Sequence, residues 1–366
     1  MSVEEVRDRR TFQEFFRLPW RIYRDDPNWV PPLFKDLKAR LSSQNPFFRE
    51  NEICLFLVRQ GREAVGRIAA ILNRAHLAFH GEKVGFFGFF ECVPDEQAAS
   101  ALFEAASSFL KEKGMGALRG PTNPSTNDEV GLLVEGFESP PRFMMAYNPP
   151  YYQGLLETQG MRKVKDLYAY EIEVPKVLPE RVTRVAEEIR QGVRVRTVDL
   201  RHFQEEALLI REIYHEAWKE NWGFVPISVP EILFLAKRLK PLVVKELALI
   251  AEVEGRPVGF MLSLPDYNLA LKPLHGRLGP LAFFKFLYYA RRINEIRLMV
   301  FGILPSYRRK GIDSLLYLES FKACRRLGYK RAELSWILED NTATRRAAER
   351  WGARPAKRYR MYEMPI

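Results

Sequence analysis

The chain has 366 residues, 47% of them hydrophobic, which is long for one domain and ample for two cores. Its formal charge of +11 is unevenly spread: residues 1–175 carry 22 Lys+Arg against 24 Asp+Glu, and residues 176–366 carry 35 against 22. Cys54, Cys92 and Cys324 are odd in number and lack CxxC spacing, which excludes a disulfide framework or a zinc site. No run is long enough for a bilayer span, and the start MSVEEVRDRR has no secretory apolar core, so a cytoplasmic protein without a metal is expected.

In chain order, the apolar periodicity predicts strands at 53–60 and 64–73, joined as a hairpin, and a third strand at 83–91. A helix at 95–113, a helix at 151–159 and a strand at 164–174 follow. The polar stretch GPTNPSTNDEVGLLVEGF and the run YNPPYY after it offer Asn123, Asn127 and Tyr147 as candidate binding residues. Turn chemistry explains the same Asn and Gly residues. A linker is expected at 175–179, leaving domains 1–175 and 176–366.

The second half opens on a helix carrying His215, Glu216, Trp218 and Trp222. These are candidate site residues, although aromatic residues at that spacing also suit a core. The segment LKPLHGRLGPLAFFKFLYYARR, residues 271–292, is apolar, aromatic and flanked by cations. It is too short to cross a bilayer, and it reads either as a helix buried between domains or as a lid or peripheral membrane element.

An apolar strand is then predicted at 296–304, a helix at 314–327, a strand at 331–338, a helix ending at Trp351-Gly352 and a closing strand at 356–363. The turn ILPSYRRKGID joins the first of these strands to its helix. Backbone N–H groups and the positive end of a helix dipole favour an anion there, and Arg308, Arg309 and Lys310 add charge while Gly311 lets the backbone approach. A pyrophosphate fits that description.

The halves repeat one another. Asn28-Trp29 answers Asn221-Trp222 and Gly66 answers Gly259 at an offset of 193; Phe87-Gly88 answers Phe301-Gly302 and Gly114 answers Gly328 at 214. The change places 21 extra residues in the second copy, between Gly259 and Gly302. The first copy has Glu91-Cys92-Val93-Pro94-Asp95-Glu96 where the second has its basic turn, so only the second is expected to hold a diphosphate.

Arg308-x-x-Gly311-x-Asp313, set between strand and helix, resembles the acyl-CoA loop of the GNAT superfamily of N-acyltransferases, Gln/Arg-x-x-Gly-x-Gly/Ala. Asp313 departs from the small third residue of that pattern. The strings VGRIAAILN, GFFGFFE, YNPPYY and AWKENWGFVP further resemble a bacterial family of double-GNAT proteins that includes ceramide synthases, which acylate the amine of a sphingoid base.

The resemblance implies an α/β fold of two tandem GNAT-like domains, each a mixed twisted sheet with helices on both faces. It also implies a degenerate first domain. The second would bind acyl-CoA or acetyl-CoA through the backbone of Ile303 and Leu304, the turn Arg308, Arg309, Lys310, Gly311, Ile312 and Asp313, and Asn341. An acyl group would pass to a primary amine, with a long-chain or lipid-like amine suggested. Glu339 is then the first candidate base and His215 and Glu216 the second, with Trp218, Trp222, Asn123, Asn127 and Tyr147 as candidate acceptor contacts. The family's Tyr seven residues after the matching Asn is replaced by Ala348, which leaves Tyr359, Tyr362 or water to protonate the thiolate. Transfer from aminoacyl-tRNA and a non-catalytic CoA- or lipid-binding protein are the competing readings; nucleic acid is not the expected partner.

Overall fold

The computed structural model describes residues 1–42, 44–175, 177–178 and 180–366; Lys176 and Pro179 of the expected linker lie outside the described residues. The first copy runs β1 (Ser2–Glu5), α1 (Arg9–Ile22), α2 (Phe34–Arg40), α3 (Phe47–Glu50), β2 (Glu52–Gln60), β3 (Glu63–Leu72), α4 (Arg74–His80) and β4 (Val84–Cys92). It continues with α5 (Glu96–Glu112), β5 (Ala117–Gly120), β6 (Thr122–Asn123), β7 (Glu129–Val130), β8 (Leu132–Glu135), α6 (Tyr152–Glu157) and β9 (Arg162–Glu173). The second copy runs α7 (Glu180–Ile189), β10 (Arg194–Thr197), α8 (Phe203–Trp218), α9 (Val229–Leu239), β11 (Ala248–Val253) and β12 (Arg256–Pro265). It ends with α10 (Asn268–Leu271), α11 (Pro280–Ala290), β13 (Glu295–Ile303), α12 (Ile312–Leu327), β14 (Arg331–Leu338), α13 (Thr342–Arg350) and β15 (Arg354–Pro365).

Both copies use the same pairing. In the first, β1, β2, β3 and β4 are antiparallel neighbours and β4 pairs parallel with β5. In the second, β10, β11, β12 and β13 are antiparallel and β13 pairs parallel with β14. The hairpins and central strands fall at the offsets seen in the repeats. The extra residues lie between β12 and β13, where the first copy has only α4. The short, polar opening strands SVEE and RVRT carry no alternation long enough to announce themselves and exist by pairing with β2 and β11.

Helices cover both faces of the first sheet, which is why β3 is buried from Ala64 to Leu72. Leu102, Phe103 and Leu110 of α5 are at most 1% exposed against one face, while Phe15 and Phe47 of α1 and α3 close the other. Each such side chain contributes about 1.5–3 kcal/mol by leaving water. In the second copy Ile312 and Leu316 of α12 pack on Leu249, Ala251, Met261 and Ile303, and α8 lies against β12 and β13. All three cysteines are buried and free.

The compact units interleave along the chain, where contiguous domains 1–175 and 176–366 were expected. Residues 1–168, 271–279 and 357–366 form one; 169–270 and 280–356 form the other. The division falls inside both closing strands. In the first unit β15 pairs antiparallel with β5, Tyr362 opposite Gly120, and with β8, Tyr359 opposite Leu133. In the second, Val174 of the segment after β9 donates its N–H to the Lys330 carbonyl at 2.8 Å. Alternation along a closing strand predicts that it is a strand; it carries no label for its partner.

The apolar insertion is divided too, since 271–279 belong to the first unit and α11 to the second. No residue of α11 is buried.

Candidate active site

The second unit's sheet opens at one place. Parallel pairing of β13 with β14 covers only Glu295–Leu298 against Arg331–Leu334, although the strands continue to Ile303 and Leu338. On its other edge, β13 steps out of register with β12 between the pairs Ser263–Leu298 and Leu262–Val300, a bulge that puts Met299 in excess and re-aims the strand. Met299, Val300 and Phe301 are half-buried along this splay. A strand edge that leaves its ladder offers backbone groups to an amide-bearing chain, as the pantetheine arm is.

The predicted backbone contacts, Ile303 and Leu304, lie just past this segment and are engaged by β12. Ile303 pairs with Gly259, and the Leu304 N–H donates to the Val258 carbonyl at 2.9 Å. Below the splay the paired strands carry a buried polar set that apolar periodicity could not announce. Arg297 and Glu333 are register partners at 4% and 0% exposure. Arg297 Nε donates to Ser335 Oγ at 2.8 Å, whose hydroxyl donates to Glu333 Oε1 at 2.6 Å. The one signal for them was charge inside otherwise apolar strands.

The turn after β13 has the local geometry of an anion cradle. Arg309 and Gly311 are left-handed, φ +61° and +81°, and α12 starts at Ile312 with no side chain capping its first turn. Arg309 and Lys310 are exposed, Lys310 Nζ sitting 4.9 Å from the centre of the Tyr307 ring. Arg308 is used differently: its guanidinium donates to the carbonyls of Ala217, at 2.5 Å, and Ile303, at 3.4 Å. It ties the turn to the end of α8. Burial, and then Asp313 in the first turn of α12, raise the pKa of Tyr317 one turn on.

Tyr317 is a residue that sequence reasoning missed. Its ring lies 5.4 Å from that of Phe301 on the splayed strand and 3.9 Å, edge-on, from Trp351 after α13. Ala348 is buried there. The four-residue step from Asp313 to Tyr317 was the available signal. Asn341 caps α13, its Oδ1 accepting from Thr344 N–H at 3.2 Å. Glu339 sits half-buried just before it, with its carbonyl held by Arg345 at 3.0 Å.

On the opposite face, Trp218 Nε1 donates to the Phe301 carbonyl at 3.0 Å, and Tyr214 lies 5.1 Å from Trp218 and 5.5 Å from Phe224. His215 Nε2 accepts from Ile227 N–H at 3.1 Å. Burial, then Arg211, depress its pKa. Glu216 faces outward and pairs with Lys219 at 2.8 Å; Trp222 is half-buried in the turn beyond α8.

His215 has a stability consequence. The unfolded ring takes up a proton near pH 6.5 and the folded ring only below that. Stability from the neutral ring is therefore present above about pH 6.5 and is lost as pH falls toward the folded value. Urea unfolding at about pH 7.5 and 5.5 should show a smaller pH dependence in His215→Gln than in the parent.

In the first unit the corresponding places are filled from within. Gly88 stands where the second copy has Gly302, and a Cβ on it would lie 1.7 Å from the Thr122 carbonyl oxygen. Asn123 Oδ1 accepts from Phe89 N–H at 2.6 Å and its Nδ2 donates to Glu129 at 2.6 Å. Segment 122–123 thus lies on the edge of β4 and satisfies it. The start of α5 is likewise occupied, since Asp95 accepts from Ala98 N–H at 3.0 Å. A carboxylate cap leaves no welcome for phosphate.

The other sequence candidates in this unit are held in structural roles. Asn127 sits in a turn, its N–H donating to Ser125 Oγ at 3.2 Å. Tyr147 donates to Asp26 at 2.8 Å, and burial with that carboxylate raises its pKa. Tyr359 is fully buried, its Cβ 3.0 Å from where a Cβ on Gly131 would stand.

The model of the Acetyltransferase (GNAT) family matches residues 208–353. Protein YghO of Escherichia coli (strain K12) is 33% identical over 371 residues, covering 100% of this chain and 95% of that protein. Bacterial ceramide synthase of Caulobacter vibrioides (strain NA1000 / CB15N) is 35% identical over 375 residues, covering 100% and 98%. Among solved structures, a tandem GNAT protein from the clavulanic acid biosynthesis pathway superposes with a TM-score of 0.60 at 13% identity, covering 100% of this chain and 98% of that one. A GCN5-related N-acetyltransferase from Anabaena variabilis gives 0.54 at 10% identity, covering 99% and 72%. Identity of this order over the whole length, joined to a splayed central strand and a glycine-started helix in one of two repeated sheets, leads to one conclusion: the chain belongs to the GNAT family and is a tandem, acyl-CoA-dependent N-acyltransferase.

Proposed function

We propose that the second unit takes an acyl-CoA and transfers its acyl group to a long-chain or lipid-like primary amine. The observation that carries the donor assignment is the pairing of an opened β13–β14 edge with a helix start free of any side-chain cap, both of which the first unit fills with its own groups. The pantetheine arm would lie along Met299–Phe301 and the diphosphate on the turn Arg309–Asp313. The first unit is then a degenerate partner. The full-length likeness to a protein named bacterial ceramide synthase supports the class of acceptor.

Chemically, the amine nitrogen attacks the thioester carbonyl, the C–S bond breaks, the amine gives up a proton and the sulfur gains one. Glu339, at the end of β14, is assigned as base, directly or through water. His215 is the weaker candidate because its Nε2 is already engaged, and Glu216 because it faces solvent in an ion pair. With Ala348 at the family's usual tyrosine position, Tyr317 is assigned as the proton donor, since burial keeps its hydroxyl protonated beside the splayed strand.

Glu339→Gln is expected to lower kcat about 10²-fold with KM for CoA substrate little changed, and Tyr317→Phe to lower it about tenfold. Stopped assays following thiol release would check both; full activity in either removes that residue from the mechanism. The acceptor class is tested by incubating the chain with palmitoyl-CoA and either a sphingoid base or a short polar amine and identifying the amide by mass spectrometry. Amide from the short amine alone would overturn the lipid-like acceptor, whereas no heat of binding with CoA would overturn the donor site.

A further inference from the structure

Helix α11 presents an apolar face that its own unit does not cover. Leu281 is 86% exposed, Phe284 69% and Tyr288 51%, three residues at helical spacing on one side. Ala282, Phe286, Tyr289 and Ala290 occupy the other side and are half-buried, Phe286 stacking on Tyr267 at 6.0 Å. The helix is thus seated by one face and turns its larger apolar groups outward, in a pattern that soluble surfaces rarely keep.

The charge on that face is of one sign. Lys285 lies among the exposed apolar residues, Arg291 and Arg292 follow the last turn, and residues 280–292 contain no acid. The Arg292 guanidinium lies 3.9 Å from the centre of the Tyr288 ring, holding a cation at the edge of the apolar face. Eleven residues make a helix of about 16 Å, half the thickness of a bilayer core. No helix among the described residues is long and apolar enough to cross a membrane.

We propose that α11 seats the protein on an anionic lipid bilayer, lying in the interface with Leu281, Phe284 and Tyr288 below the headgroups and Lys285, Arg291 and Arg292 at the phosphates. An anionic leaflet supplies apolar depth and negative charge at the same level, the two things this face asks for. A second copy of the chain does not: two such helices would bring like charges together with no acid on either to offset them. The inference stands on α11 alone and holds whichever amine is acylated.

Flotation of the full chain with phosphatidylcholine vesicles, with and without phosphatidylglycerol, tests it. Binding is expected to the anionic vesicles and to weaken in high salt. Leu281→Asn with Phe284→Asn, and separately Lys285→Glu with Arg291→Glu, should each weaken it at least about tenfold. These side chains are exposed, and unchanged urea midpoints would show that both variants fold. Three results would overturn the proposal: no flotation of the parent, equal flotation of parent and variants, or self-association of the parent in sedimentation that the same substitutions abolish.

Discussion

Gly88→Ala is expected to destabilise the first unit by about 4 kcal/mol, near the upper end of single-substitution effects. Its counterpart Gly302→Ala should cost only about 1–2 kcal/mol. The new methyl at position 88 would lie 1.7 Å from the Thr122 carbonyl oxygen and 2.9 Å from Asn123 Oδ1. Thr122 is 1% exposed and Asn123 is bonded at both ends of its amide, so no rotamer change relieves the overlap. At Gly302 the nearest atoms are Phe260 Cε1 at 2.9 Å and Ala217 Cβ at 3.3 Å, and a ring edge can shift. Denaturant midpoints of the two variants measure the difference. Equal losses would mean that segment 122–123 does not press on β4, and would remove the account of why the first copy closes its own donor site.

That contrast shows what periodicity can and cannot carry. The hairpin at β2–β3, the central strands and the helices after them were legible because each has a local apolar rhythm, and the repeat is marked at offsets of 193 and then 214 residues. The site was legible only where it depends on local geometry. Gly311 was found because a backbone that must approach an anion favours glycine, and the structure adds a φ of +81° there. Arg308 also matched its motif, yet its guanidinium is spent on the Ala217 and Ile303 carbonyls, a destination set by the tertiary position of α8.

Four features depend on tertiary pairing rather than on a local rhythm. The bulge at Met299 arises from the mismatch of β13 with β12 and shifts the opened edge ahead of Ile303 and Leu304. Asn123 reads as a turn residue, and only the fold brings its amide to Phe89. The Arg297, Ser335 and Glu333 set requires that two strands pair in one register. The division of β9 and β15 between units is a choice of partner, and partner choice in a sheet is decided by what is buried alongside, not by alternation along the strand.

Gly311→Val is expected to weaken CoA binding by at least about 10²-fold in calorimetry, equivalent to roughly 3 kcal/mol. Two costs combine. A φ of +81° charges an L-residue about 1–2 kcal/mol, more with a branched Cβ. The Cβ itself would stand 2.7 Å from Val185 Cγ1 and 3.4 Å from Ile189 Cγ2, so the turn must leave either its conformation or its seat on α7. Either movement rotates the N–H groups at the start of α12 away from a common anion. Gly328→Ala is the matched control, because Gly328 has the same φ of +81° at the other end of α12 and no atom within 4 Å of its would-be Cβ. It should lose about 1 kcal/mol of stability and bind CoA as the parent does. Loss of affinity in both variants would trace the effect to the stability of α12, and retention in both would move the diphosphate off this turn; only loss at 311 alone supports the site as assigned.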